Sequence, residues 1–214
     1  MNNKYLYPLI AIAAASLGFL AASMWQNHHS IDEVNNDTQA VTKAPVLTLP
    51  TFSLKNRNGE LQSIHSWPGK SLIINFWATW CAPCRREIPM LMSLQKEHAA
   101  DGFQLVGIAV DFREDVLKYA DTNKIDYPLL IGEQDGLNAV DAFGIEAVGF
   151  PYTVFTDAQS NIITTFIGEL HQEQTKLILS TIDKINRGAL SVHEGRVQLT
   201  SELAKLKKPE SDEG

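Results

Sequence analysis

Cys81 and Cys84 are the only two cysteines of the chain, and they sit in Trp80-Cys81-Ala82-Pro83-Cys84-Arg85-Arg86-Glu87. Two intervening residues let the second sulfur reach the first across one helical turn, so the pair can close to a disulfide and reopen. Which chemistry follows depends on the elements that hold it. Upstream, Ser71-Leu72-Ile73-Ile74-Asn75-Phe76-Trp77 is a strand-like run, and downstream Pro83 to about Ala99 reads as a helix. A thiol where a helix begins faces unpaired backbone N–H groups and the positive end of the helix dipole; both favour the thiolate, which is the nucleophile. By position Cys81 is the nucleophile and is expected to be partly exposed, with Cys84 shielded a turn inside. The Cys81 thiolate attacks a substrate disulfide, and Cys84 then attacks Cys81 and frees the reduced substrate; run backwards, the same steps oxidise a dithiol. A static disulfide closing so short a loop would stabilise little. A zinc site would lack half its ligands, so no metal is expected, and no cofactor. Pro83 stiffens the first turn and supplies no N–H to Cys81. Arg85 and Arg86 are expected to point to water and add modest positive potential.

The rest of the chain supplies the scaffold. Thr48–Leu54 and Glu60–Ile64 around Asn58-Gly59 predict a hairpin. Phe103–Val110 is a continuous apolar run, as a buried parallel strand requires. Glu114–Thr122 is helical in pattern, with Asp111 or its neighbour as cap. A short strand at Tyr127–Ile131 and a short helix at Leu137–Phe143, stopped by Gly144, follow. Tyr152–Thr156 and Ile162–Ile167 form a second hairpin, and Gln172–Asn186 a last helix with Leu177, Ile178, Ile182 and Ile185 on one side. Residues 188–214 read as a tail, with a short amphipathic helix within Ser191–Lys208 and disorder after Pro209. Trp77 is expected in the core beside Phe76, and Trp80 at the surface by the reactive sulfur. Pro89 is expected to kink the active-site helix. His65, His98, His171 and His193 are scattered and read as surface or capping residues.

Leu6 to Trp25 carries no charge. As a helix it rises about 30 Å, enough to cross a bilayer. Lys4 precedes it and Asp32, Glu33 and Asp37 follow, which places the N-terminus in the cytoplasm and the body outside. Ala21-Ala22-Ser23 also offers a processing site, so the segment is either a single-pass anchor in the cytoplasmic membrane or a cleaved signal peptide. Either way the body is exported to a compartment where disulfide exchange has meaning. Residues 26–44 read as a polar tether, with His28-His29 as solvated linker rather than metal ligands. A net charge of −7 with no clustered basic face argues against nucleic acid.

In Asn75-Phe76-Trp77-Ala78-Thr79-Trp80-Cys81-Ala82-Pro83-Cys84-Arg85-Arg86-Glu87-Ile88-Pro89 and Gly149-Phe150-Pro151-Tyr152-Thr153, the chain resembles the thioredoxin superfamily, in detail its membrane-tethered TlpA/ResA-type branch, over roughly Val46 to Ile185. The resemblance implies an α/β thioredoxin fold over residues 45–187, with an N-terminal β-hairpin and a central αβ insertion, behind the segment of residues 1–25. It implies a cis Pro151 facing the cysteines, which leaves Phe150 backbone groups free to pair with an extended substrate beside Cys81. Trp80, Pro83, Phe150 and Pro151 are thus the expected substrate-binding residues. Phe150 departs from the small or aliphatic residue more usual in the family, and its ring would shield the sulfur or grip an apolar patch. Thioredoxins proper carry a buried Asp where this chain has Asn75, which cannot take a proton from a thiol. TlpA/ResA-like proteins show a Glu at the place of Glu87, and the resemblance implies that Glu87 manages protons; the alternative is a first-turn Glu favouring the helix dipole. The Cys81 pKa is expected below that of a free cysteine but well above that of strongly oxidising members.

Similar proteins keep exported substrates reduced, such as apocytochrome c before haem attachment, and are recharged by a membrane thiol donor. The expected function is therefore a protein disulfide oxidoreductase, reducing exported protein disulfides. Two other classes compete. A thiol peroxidase would usually set its cysteine in Pro-x-x-x-Thr-x-x-Cys, which nothing before Cys81 matches. A non-catalytic binding or chaperone module would use the fold as a scaffold without the cysteines.

Overall fold

A computed structural model describes residues 47–144 and 149–206. The apolar segment 6–25 and the tether 26–44 lie outside the described residues, among which no helix is long and apolar enough to cross a membrane. The elements in chain order are β1 (Ser53–Asn56), β2 (Leu61–Ser63), β3 (Ser71–Trp77), α1 (Ala82–His98), β4 (Phe103–Ala109), α2 (Arg113–Thr122), β5 (Leu129–Ile131), α3 (Gln134–Ala142), β6 (Tyr152–Thr156), β7 (Ile162–Ile167), α4 (Gln172–Asn186) and α5 (Val192–Leu206).

The seven strands form one mixed sheet in the order β2-β1-β5-β4-β3-β6-β7. β3, β4 and β5 run parallel, while β6 and β7 are antiparallel to their neighbours. β3 is buried along its whole length, which its unbroken apolar sequence requires of a central strand covered on both faces. Its side chains alternate between two apolar clusters. Ile73 and Trp77 join residues of α1, α2, α4 and α5, whereas Leu72, Ile74 and Phe76 join residues of α3 and the N-terminal hairpin. Trp77 and Phe76 therefore share the core but not a face, contrary to the expectation that they pack together; the pleat sends consecutive residues to opposite sides. Trp77 meets Tyr119, while Phe76 stacks on Tyr152 at 4.4 Å.

The first hairpin is shorter than its pattern predicts. Pro50 has no N–H to give a ladder, and the residues before it turn elsewhere: Leu49 N–H donates to Ser160 O, and Thr48 bridges Asn161. The turn itself is as expected, with Gly59 at φ +86° and the Asn56 carboxamide oxygen accepting from the N–H groups of Asn58 and Glu60. β5 starts at Leu129 rather than Tyr127, after Pro128, whose carbonyl accepts from Gly107 N–H. α1 runs continuously through Pro89. The residues after 188 are more than a tail: in α5, Leu199 and Leu203 are buried in the same cluster as α4, and the Arg196 guanidinium donates to Ile162 O.

Candidate active site

The cysteines lie where β3 hands the chain to α1, at the C-terminal ends of the parallel strands. Cys81 is the N-cap of α1: its N–H donates to Ala78 O, and its Sγ accepts from Cys84 N–H at 3.2 Å. The N–H that a helix start leaves unpaired is thus aimed at the sulfur expected to be the nucleophile. Cys81 and Cys84 are joined as a disulfide. Cys84 is fully buried, as expected, but Cys81 is only 4% exposed rather than partly exposed. Its sulfur turns back over the first turn to reach Cys84 N–H and sits in the apolar cluster against which Phe150 packs. Pro83 lies half-buried in the first turn.

Glu87 is buried at 2% exposure, in the second turn of α1 and not in its first, so the dipole reading does not apply. One carboxylate oxygen accepts from the Asn75 amide on β3 at 2.7 Å, and the other from Leu170 N–H, in the loop between β7 and α4, at 2.8 Å. Asn75 also donates to Thr153 on β6. Burial pushes the Glu87 carboxyl from the ordinary 4.5 up to about 7; the Leu170 and Asn75 donors pull it down, and the nearby Glu169 charge pushes it up. The dominant cause is therefore desolvation. Asn75 does not carry a proton here, but it holds and orients the group able to do so.

Pro151 is buried and follows a cis peptide bond from Phe150. Its carbonyl accepts from Gly168 N–H, which ties it to the β7–α4 loop that also reaches Glu87. Trp80 is 67% exposed, and its ring stands 6.0 Å from that of the half-buried Phe150. Trp80, beside Cys81, thus meets Phe150, which packs against the cluster holding the cysteines although it lies far along the sequence.

Three features of the site were missed. Asp111 caps no helix; Phe112 occupies the N-cap of α2, with no side-chain cap. The Asp111 carboxylate instead accepts from both the N–H and the hydroxyl of Thr79, at 2.9 and 2.5 Å, tying the turn before Cys81 to the end of β4. Phe112 is itself 61% exposed on the loop so tied. Arg86 does not simply point to water but makes a two-nitrogen ion pair with Glu169. None of these pairings leaves a local periodicity, although a large aromatic where a Ser, Asp or Asn belongs at a helix start is a readable oddity.

The comparisons with known proteins agree with this geometry. The model of the AhpC/TSA family matches residues 47–166, more than half of the chain. The thioredoxin-like protein YneN of Bacillus subtilis is 35% identical over 131 residues, covering 58% of this chain and 72% of its own. The thiol-disulfide oxidoreductase ResA of Halalkalibacterium halodurans is 25% identical over 175 residues, covering 81% and 91%. Among solved structures, a thiol:disulfide interchange protein of the thioredoxin family from Chlorobium tepidum superposes with a TM-score of 0.55 at 33% identity, covering 68% of this chain and 97% of its own. With a cysteine pair at a helix start, a seven-stranded mixed sheet and these relatives, the chain belongs to the AhpC/TSA family and is a thioredoxin-like thiol-disulfide oxidoreductase.

Proposed function

We propose that the protein reduces disulfides of exported proteins, held at the cytoplasmic membrane by residues 6–25 with its catalytic domain on the periplasmic side. The observation that carries the reductive mechanism is the placement of Cys81 Sγ on the Cys84 N–H with a buried, proton-avid Glu87 one turn further along the same helix. In the reduced protein the Cys81 thiolate attacks one sulfur of the substrate disulfide, and the other sulfur leaves as a thiolate. Cys84 gives its proton to the Glu87 carboxylate and attacks Cys81 Sγ. The mixed disulfide breaks, the second substrate thiolate departs, and two electrons have moved from the protein to the substrate. A carboxyl titrating at about 7 is matched to accept that proton near neutral pH. A membrane thiol donor returns the two electrons.

Trp80, Pro83 and Phe150, backed by the buried Pro151, are the residues we propose an incoming segment covers to reach Cys81, and the exposed Phe112, on the loop tied to Thr79, is proposed to extend that surface. A Phe at a helix N-cap forgoes about 1 kcal/mol that a Ser would supply. Phe112→Ser is therefore expected to hold or raise the thermal midpoint while lowering kcat/KM several-fold for a protein disulfide and leaving reduction of a small disulfide unchanged. Parallel loss on both substrates would remove Phe112 from the docking surface.

A Cys84→Ala variant tests the function, since it stalls at the mixed disulfide. Expressed in the native host, it is expected to trap exported proteins carrying a cysteine that is otherwise reduced. Capture of cytoplasmic proteins alone, or of none, would contradict the proposal.

A further inference from the structure

We infer that Arg86 and Glu169 form a latch that keeps water from Glu87 and holds Leu170 N–H on its carboxylate, which makes them positioning residues for the proton step. The inference rests on the reading of Glu87 as the proton acceptor. Two consecutive residues of α1 meet two consecutive residues of the β7–α4 loop. On the outside, Arg86 Nε and Nη2 grip the Glu169 carboxylate, the Nε at 3.0 Å from each oxygen; on the inside, Leu170 N–H donates to Glu87 at 2.8 Å. The loop is anchored at its other end by Gly168 N–H on Pro151 O, and Gly168 sits at φ +105°, a conformation that a side chain would strain.

The latch lies where solvent would otherwise enter. Arg86 is 61% exposed and Glu169 21%, whereas Glu87 and Leu170 next to them are each 2% exposed. An exposed ion pair adds little to overall stability. Its two-point, planar geometry instead fixes where the loop sits, which a single contact would not. Glu87 is approached from several elements. Asn75 comes from β3, with Thr153 of β6 behind it. Leu170 N–H and the Glu169 charge come from the loop, where His171 acts in turn on Glu169. The buried Tyr127 phenol, ahead of β5, is within electrostatic reach, and Cys84 and Arg86 flank Glu87 on its own helix. Of these, only the loop contacts depend on a pair open to water. Because burial is the largest influence on Glu87, opening the loop lowers its proton affinity even though a donor is lost.

The test uses the oxidised full chain labelled with carbon-13, following the Glu87 carboxyl by NMR across pH and the Leu170 amide by hydrogen exchange. Arg86→Ala is expected to lower the Glu87 midpoint by about one unit or more, and to speed Leu170 exchange roughly tenfold. The reversed pair, Arg86→Glu with Glu169→Arg, is expected to restore slow Leu170 exchange, whereas the Glu87 midpoint stays lower because a cation then stands at position 169. An unmoved or raised midpoint in Arg86→Ala, or a reversed pair whose Leu170 exchange stays fast, overturns the latch. Neither readout involves turnover, so the latch is judged even where Glu87→Gln leaves the pH–rate profile unchanged, a result that would remove only the proton role.

Discussion

Glu87→Gln is expected to flatten two pH dependences at once. The first is kinetic. With its carboxyl titrating at about 7, Glu87 is ionised and able to take the Cys84 proton only above that point, so the wild-type rate of resolving the mixed disulfide rises as pH passes through about 7. The variant loses that step in the profile and turns over slower by about 10²-fold or more at neutral pH, the scale of a lost proton acceptor. Single-turnover reduction of a model protein disulfide across pH 5–9 measures it, and an unchanged curve removes Glu87 from the mechanism.

The second dependence is thermodynamic, and its sign follows from the direction of the shift. The folded carboxyl holds its proton more tightly than the unfolded one. Between about pH 4.5 and about 7 the unfolded chain has released a proton that the folded chain keeps. Glu87's contribution is therefore fully present below about pH 4.5, declines as pH rises and is lost past about 7, a fall of about 3 kcal/mol. Gln removes this slope, and because its amide cannot accept from both Asn75 and Leu170 it sets stability about 1 kcal/mol lower on the acid side. Denaturant unfolding of the oxidised protein at several pH values separates the two lines.

Cys81→Ser is expected to reduce catalysis to the background rate of the reductant supplied, because a serine hydroxyl is not ionised near neutral pH and cannot displace a sulfur. Cys84→Ser keeps the first step, accumulates the mixed disulfide and shows one stoichiometric burst. Both variants lose the short-loop disulfide, which contributes about 2 kcal/mol or less, so both stay folded. A Cys81→Ser protein with measurable disulfide reductase activity would move the nucleophile to Cys84 and invert the roles proposed here.

Much of the frame was legible in the sequence because its signals are local. The unbroken run at Ser71–Trp77, the 3.6-residue spacing of Ile178, Ile182 and Ile185, and the turn between Thr156 and Ile162 depend on neighbours within a few residues, and β3, α4, β6 and β7 lie where those signals put them. The cysteines were legible for the same reason, and Glu87 through the resemblance. What stayed hidden is made by long-range pairing. Asp111 looked like a cap because it precedes a helix, yet one of its oxygens accepts twice from Thr79, 32 residues earlier, and the other accepts from Phe112 N–H. Arg86 looked solvated because its partner lies 83 residues on. The burial of Cys81 follows from the closure of its own sulfur onto the first turn within a shared apolar cluster, which no pattern along the chain encodes.

The most direct measurement is the pH dependence of alkylation of the reduced protein, with each cysteine read separately by mass spectrometry. The N–H aimed at Cys81 Sγ, against the full burial of Cys84, predicts that Cys81 reacts at least about 100-fold faster at pH 7, with a midpoint below the ordinary 8.5 of a free thiol. Equal rates at the two sulfurs, or a Cys81 midpoint at or above 8.5, would contradict the account.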